Sequence, residues 1–270
     1  MTGMKTDFQT LKTHVDKGII TILLNRPQVH NAFNSTMLLE LIGLLDEINE
    51  EKDIRVVVIT GQGKSFSAGA DLNWMREIIN YSYEENIRDS EKISELFFKI
   101  YTLNKPVISA INGAAIGGGM GFVAASDIVI ASDRAVFSLS EVKIGVVPAC
   151  ISPYLIRKSG EGALKELFLT GKKFYPEEAL RINLINYTVE HEELLNFTKL
   201  KARELLFNGP RAMAVCKDLF RDIPEMDLNK AYNHTAEVIA RLRTSDEAQE
   251  GMKAFLEKRD PKWRNPGSGF

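Results

Sequence analysis

The chain has little cysteine. Cys150 and Cys216 are the two among 270 residues, too few for a disulfide framework, and no Cys-x-x-Cys occurs. A reducing compartment is therefore expected. Histidine is as sparse: His14, His30, His191 and His234 are scattered without metal-ligand spacing, so no metal site is expected. Long apolar runs are also missing. The longest, such as 56–59 and 128–131, are strand-length, whereas a membrane-spanning helix needs about 20 residues. Residues 1–7 lack the apolar stretch of a secretory signal, which points to the cytoplasm. Charge of one sign is missing too. Lys and Arg number 34 against 36 Asp and Glu, a net charge of -2. With a pI near 6.2, that balance argues against a general nucleic-acid or anionic-membrane surface. Two nucleotide-binding patterns are incomplete. Gly63-Lys64-Ser65 resembles the end of a P-loop, but Val58 stands where its first Gly is needed. No G-x-G-x-x-G follows a strand.

What is present is ordinary globular material, 44% hydrophobic and 26% charged, long enough for a large core. Residues 11–15 and 19–24 are β-rich and flank Asp16-Lys17-Gly18, which predicts a hairpin. Met37, Leu38, Leu41, Ile42, Leu45 and Ile48 recur at helical spacing, with Ser35 as the candidate N-cap. Within 55–60, Val56-Val57-Val58-Ile59 is apolar throughout and suits a strand buried on both faces. A loop, 61–69, leads to a long helical region from Leu72 to about Tyr101. Strands are predicted at 107–111, 127–131 and 184–189, with a short helix opening at Gly117-Gly118-Gly119 and another around Leu164, Leu167 and Phe168. Strand-strand-helix units thus recur, which predicts a layered α/β core of stacked turns over 1–205. Helical spacing without strand signal predicts an α-helical appendage over 206–270, ending in a loose tail at 261–270.

Three segments stand out. Ala68-Gly69-Ala70-Asp71-Leu72 and Asn112 to Gly121 each lie between a predicted strand and a predicted helix. Small residues there let a ligand approach the backbone, and two converging N–H groups could hold a carbonyl oxygen as it gains charge. Tight turns with close helix packing would leave the same pattern. In the third segment Glu141 sits within a mostly apolar stretch, 137–148. A partly desolvated carboxylate suits proton transfer, although a surface Glu that caps or pairs with Lys143 is the plainer reading of the residues alone.

In this order, A-G-A-D at 68–71, I-N-G-x-x-x-G-G-G at 111–119 and S-E-V with G-x-x-P at 140–148 resemble the crotonase (enoyl-CoA hydratase/isomerase) superfamily. The resemblance spans Asn25 to Arg259. It implies a spiral of ββα turns with a helical trimerisation region at the C-terminus, hence a homotrimer or a dimer of trimers. It implies an acyl-CoA thioester as the partner, with coenzyme A part of the substrate and no separate cofactor. The oxyanion hole falls on the N–H groups of Ala70 and Gly118, beside Gly117, and the acid/base on Glu141. The coenzyme A arm falls along Gln28, Val29, Ala32, Ala68, Asp71 and Leu72. Phe255 and Lys258 match positions that touch the adenosine end, often from a neighbouring subunit.

One position departs from the pattern. Two-glutamate hydratases of the superfamily carry their first glutamate where this chain has Gly121. Three readings stay open: a hydratase using Glu141 alone, a Δ3,Δ2-enoyl-CoA isomerase using the same glutamate, and a non-catalytic acyl-CoA- or RNA-binding relative. Tyr154, Cys150 and Ser140 are candidate helpers. The runs at 119–122, 140–143 and 147–154 look like the bacterial methylglutaconyl-CoA hydratases, whose carboxylated substrate would want a cation; Lys143 and Arg157 are the candidates. The segment 73–100 is expected to line the acyl pocket.

Overall fold

The computed structural model describes residues 7–264. The readings for residues 1–6 and 265–270 lie outside them.

The predicted hairpin forms from β1 (Leu11–Asp16) and β2 (Ile19–Leu24), paired antiparallel with Asp16 opposite Ile19. Both Lys17 and Gly18 take the left-handed conformation in its turn, as a tight two-residue connection requires. Helix α1 (Ser35–Glu50) follows, capped by Asn34, whose side chain accepts the Met37 N–H. The cap is therefore one residue before Ser35, since Asn34 has the extended backbone that a cap needs. Then come β3 (Val56–Gly61), β4 (Ser65–Ser67), α2 (Leu72–Ile78), α3 (Tyr83–Thr102), β5 (Val107–Ile111), β6 (Ala114–Ile116), α4 (Gly119–Ala125), β7 (Ile128–Ser132) and β8 (Val136–Ser138). After them run α5 (Ser152–Ser159), α6 (Glu161–Thr170), β9 (Lys173–Phe174), α7 (Pro176–Arg181), β10 (Tyr187–Val189) and α8 (Leu194–Leu206). Helices α9 (Pro210–Asp222), α10 (Leu228–Arg243) and α11 (Asp246–Leu256) end the regular structure, apart from one short turn.

The strands make two sheets, ordered β1-β2-β3-β5-β7-β10 and β4-β6-β8-β9. From β2 onward the larger sheet is parallel. All six residues of β3 are buried. Val57 and Ile59 face the main core under α1, α3 and α4, while Val56 and Val58 face a second core closed by α8 through Leu194 and Ala202. A strand covered on both faces reads as an unbroken apolar run, which is why no alternation marked it.

Three elements differ from expectation. The strand expected at 184–189 is reduced to β10, Tyr187–Val189, because the N–H groups of Leu184 and Ile185 bond back to Ala179 O at the end of α7. The long helical region is two helices, because Ser82 and Glu85 form a reciprocal capping box that starts α3 afresh. The 61–69 loop contains β4, which pairs with β6. That short strand belongs to the sheet that carries the site.

Candidate active site

The three parallel strands of the small sheet each end two or three residues before one candidate group. Ala70 follows β4, Gly118 follows β6 and Glu141 follows β8. β4 pairs with β6 and β6 with β8, both in parallel, and neighbouring strands lie about 4.8 Å apart. The spiral therefore delivers three groups side by side from residues far apart in the chain.

Ala70 is oriented by a single parallel bridge to Phe33. The Phe33 N–H donates to Gly69 O at 2.8 Å and the Asp71 N–H to Phe33 O at 3.0 Å. In such a bridge the middle residue turns its own N–H the other way. Among the described residues the Ala70 N–H has no hydrogen-bond acceptor, and neither has that of Gly118. The two segments touch: a Cβ built on Gly69 would lie 3.4 Å from Gly118 N and 2.8 Å from Ile116 O. Gly69 also has φ +87°, where side chains are strained. Gly118 is held from behind, since a Cβ there would come within 2.1 Å of the Phe33 ring.

Glu141 lies on a short 3-10 turn, Ser140–Ile144. Its carboxylate is beside the hole: a Cβ on Gly117 would meet Oε1 at 3.4 Å and Oε2 at 4.0 Å. Oε2 is buried with no hydrogen-bond partner. Burial raises the proton affinity of the carboxyl above the usual glutamate range, and a bond from its own backbone N–H offsets only part of that. Of the readings for Glu141, the surface ion pair with Lys143 does not form. The exposed Lys143 side chain lies along Gly171 instead.

The coenzyme A candidates divide. Gln28 and Val29 sit on the turn Pro27–Val29, with Gln28 exposed. Ala68 is exposed and tied to this turn by its N–H to His30 O at 3.0 Å. Leu72 is 72% exposed. These form one accessible edge. Ala32 and Asp71 are buried. Asp71 caps α2 through Asn73 N at 2.7 Å and pairs with Arg26 at 2.8 Å. Burial alone would raise its carboxyl; the Asn73 N–H and the Arg26 guanidinium outweigh that and hold it below the usual range. Phe255 and Lys258 are both exposed, and no hydrogen bond among the described residues ties them to this edge.

Several contributors escaped the sequence reading. Arg26 also donates to Ala32 O at 2.6 Å, so it clamps the 26–32 loop to the loop bearing Ala70. Asn31, buried at φ +55°, donates to Gln62 O and Ser65 O and accepts from Arg26 N. Its burial and left-handed backbone are visible only in the fold; the residue type alone marks just a tolerance of that conformation. Lys158 closes the far end of α4, donating to Val123 O at 2.8 Å and Ser126 O at 2.7 Å. Burial pushes its ammonium down to about 8.

Among the described residues no hydrogen bond joins Cys150, Tyr154 or Ser140 to the Glu141 carboxylate. Cys150 Sγ points to Ser90 O at 3.7 Å, and Tyr154 packs on Tyr101 with centroids 5.1 Å apart. Ser140 starts the Glu141 turn with its Cα against the Gly171 turn. Arg157 pairs with Glu225. Gly121 has no room for a side chain as the structure stands: a Cβ there would meet the Phe97 ring at 2.2 Å. No group of His, Cys, Asp or Glu able to hold a metal occurs among the described residues, and no helix is long and apolar enough to cross a membrane.

The arrangement can hold a thioester carbonyl and move protons beside it, and comparison with known proteins agrees. The family model described as "Enoyl-CoA hydratase/isomerase" matches residues 14–266. A Shewanella pealeana enoyl-CoA hydratase structure superposes with TM-score 0.92 at 37% identity, covering 95% of this chain and 96% of that one. The short-chain-enoyl-CoA hydratase of Clostridium acetobutylicum is 34% identical over 89% of this chain and 92% of its own. The carnitinyl-CoA dehydratase of Escherichia coli is 33% identical over 91% and 95%. A family-model match over nearly the whole length, together with relatives above 30% identity and the same fold, means that the chain belongs to the enoyl-CoA hydratase/isomerase family.

Proposed function

We propose that this protein is an enoyl-CoA hydratase that works with one glutamate on a short branched or carboxylated 2-enoyl thioester. The observation that carries this reading is the pair of unpartnered N–H groups on Ala70 and Gly118 beside Glu141, whose Oε2 is buried without a partner. The thioester oxygen accepts from both N–H groups. Glu141 takes a proton from water as the water oxygen bonds to C3. The C2=C3 electron pair moves toward the thioester, whose oxygen gains charge inside the hole. The enolate then takes the proton back from Glu141 at C2, which restores the carboxylate and leaves a 3-hydroxyacyl thioester.

Hydro-lyase activity has support in the names of the relatives, but those names cover both a short-chain enoyl and a carnitinyl thioester. The branched or carboxylated substrate rests on the runs at 119–122, 140–143 and 147–154, which resemble methylglutaconyl-CoA hydratases. The absence of a second carboxylate at Gly121 favours one other reading, Δ3,Δ2-isomerisation, in which Glu141 moves a single proton along the chain. Binding without turnover would leave the buried Glu141 carboxylate unexplained.

Incubation with crotonyl-, 3-methylglutaconyl- and trans-3-enoyl-CoA separates these. Fastest hydration of the methylglutaconyl thioester is expected. Migration of the double bond with no water added would replace the hydratase reading by the isomerase one.

A further inference from the structure

Gly121 and Phe97 are shaped to each other. Gly121 lies in the first turn of α4, its N–H donating to Gly118 O at 2.9 Å. It is thus one hydrogen bond from the residue whose N–H forms half of the hole. A Cβ at 121 would come within 2.2, 2.3 and 2.6 Å of three atoms of the Phe97 ring. That ring cannot easily swing aside. It is fully buried and meets Phe122 edge-to-face at 5.4 Å, and Phe122 meets Phe66 in the same way at 5.7 Å. Interiors packed to this density transmit an added methyl as strain.

We propose that Phe97 is a specificity-determining and positioning residue of the acyl site: locked against Gly121, it keeps the first turn of α4 free of a second proton-transferring side chain and fixes where Gly118 presents its N–H. The inference rests on the acyl-thioester reading above. It explains the lone glutamate physically. The missing carboxylate is not simply deleted; a ring supplied by α3, 24 positions earlier in the chain, occupies its place. Restoring the carboxylate therefore takes two substitutions rather than one.

The test combines Gly121→Ala, Gly121→Glu, Phe97→Ala and the double variant Phe97→Ala/Gly121→Glu. Gly121→Ala, the mildest, is expected to lower Tm on the order of 5 °C. Gly121→Glu should fall further or fail to fold. The double variant should recover much of that loss, giving a Tm well above the sum of the single effects. Phe97→Ala should lower kcat on the order of 10–100-fold with KM little changed, as a shifted donor acts on the transition state. The kcat/KM profile of the unchanged protein should show one ionisation on its acid side, and the double variant a second. A Gly121→Ala protein as stable as the unchanged one, or a double variant no more stable than Gly121→Glu, would overturn the proposal while turnover stayed intact. Coupling in Tm with no turnover of any enoyl thioester would instead overturn the activity reading, and the role of the pair with it.

Discussion

Glu141 loses solvent on folding, and its two faces follow from that. Desolvation penalises the charged form, so the fold holds a proton above pH 4.5, where the unfolded chain has begun to release it. Stability from this residue therefore falls as pH rises through the raised pKa. Replacing Glu141 with Gln is expected to raise Tm at pH 7, with the gain vanishing below about pH 4.5, where both forms are neutral. The same substitution should cut turnover by about 10²–10⁴-fold, with coenzyme A thioester affinity nearly kept. In the unchanged protein kcat/KM should fall on the acid side with a midpoint above that of an ordinary glutamate, because the carboxylate is the base. Arg26 supports the opposite wall. Replacing it with Met leaves the Asp71 carboxylate, 4% exposed, without its cation. Breaking a buried pair in this way costs about 3–5 kcal/mol, measurable by urea denaturation, and turnover should fall because the loop bearing Ala70 loses its clamp.

Helix α4 is set by what holds it at both ends. Phe33 abuts Gly118 at one end and Lys158 caps Val123 and Ser126 at the other. Lys158 is held down to about 8, so the unfolded chain binds the extra proton between there and about pH 10.5, its ordinary value. Its contribution to stability therefore rises with pH across that window. The Tm difference between the unchanged protein and Lys158→Met should grow in favour of the former from pH 8 to 10, which differential scanning calorimetry reads directly. These contacts show what the sequence could and could not reveal. The hairpin, β3 and the three strand-end segments were legible because each writes its pattern locally: turn residues between β-rich runs, an apolar stretch, small residues between a strand and a helix. Arg26, Phe97 and Lys158 were not, because each acts on a partner 24 to 45 positions away and looks, in its own neighbourhood, like a surface cation or a core aromatic. The break between α2 and α3 was legible in principle, through Ser82 and Glu85 at capping-box spacing. The helical periodicity on either side masked it.

The three last helices bury little of themselves. Helices α9 and α10 have no buried residue, and Phe220, Leu228, Tyr232, Phe255 and Leu256 are each at least 75% exposed. Apolar faces this open call for another chain; the trimer or dimer of trimers implied by the resemblance would supply one. Light scattering should give three or six times 30.3 kDa. Phe220→Glu with Leu228→Glu, harmless to a lone fold at such exposure, should reduce that mass. If a neighbour's Phe255 and Lys258 reach the coenzyme A edge, the same variant should raise KM as well. The small sheet carries the whole site. Its strands act as a ruler, placing Ala70, Gly118 and Glu141 one inter-strand step apart. Two of the three groups are main chain, so a lineage can exchange nearly every side chain around the hole and still inherit it. New substrates then cost only changes in the lining. By the same logic, a designer who wished to transplant this chemistry would have to move three turns of a spiral, because copying three residues into another scaffold would leave the ruler behind.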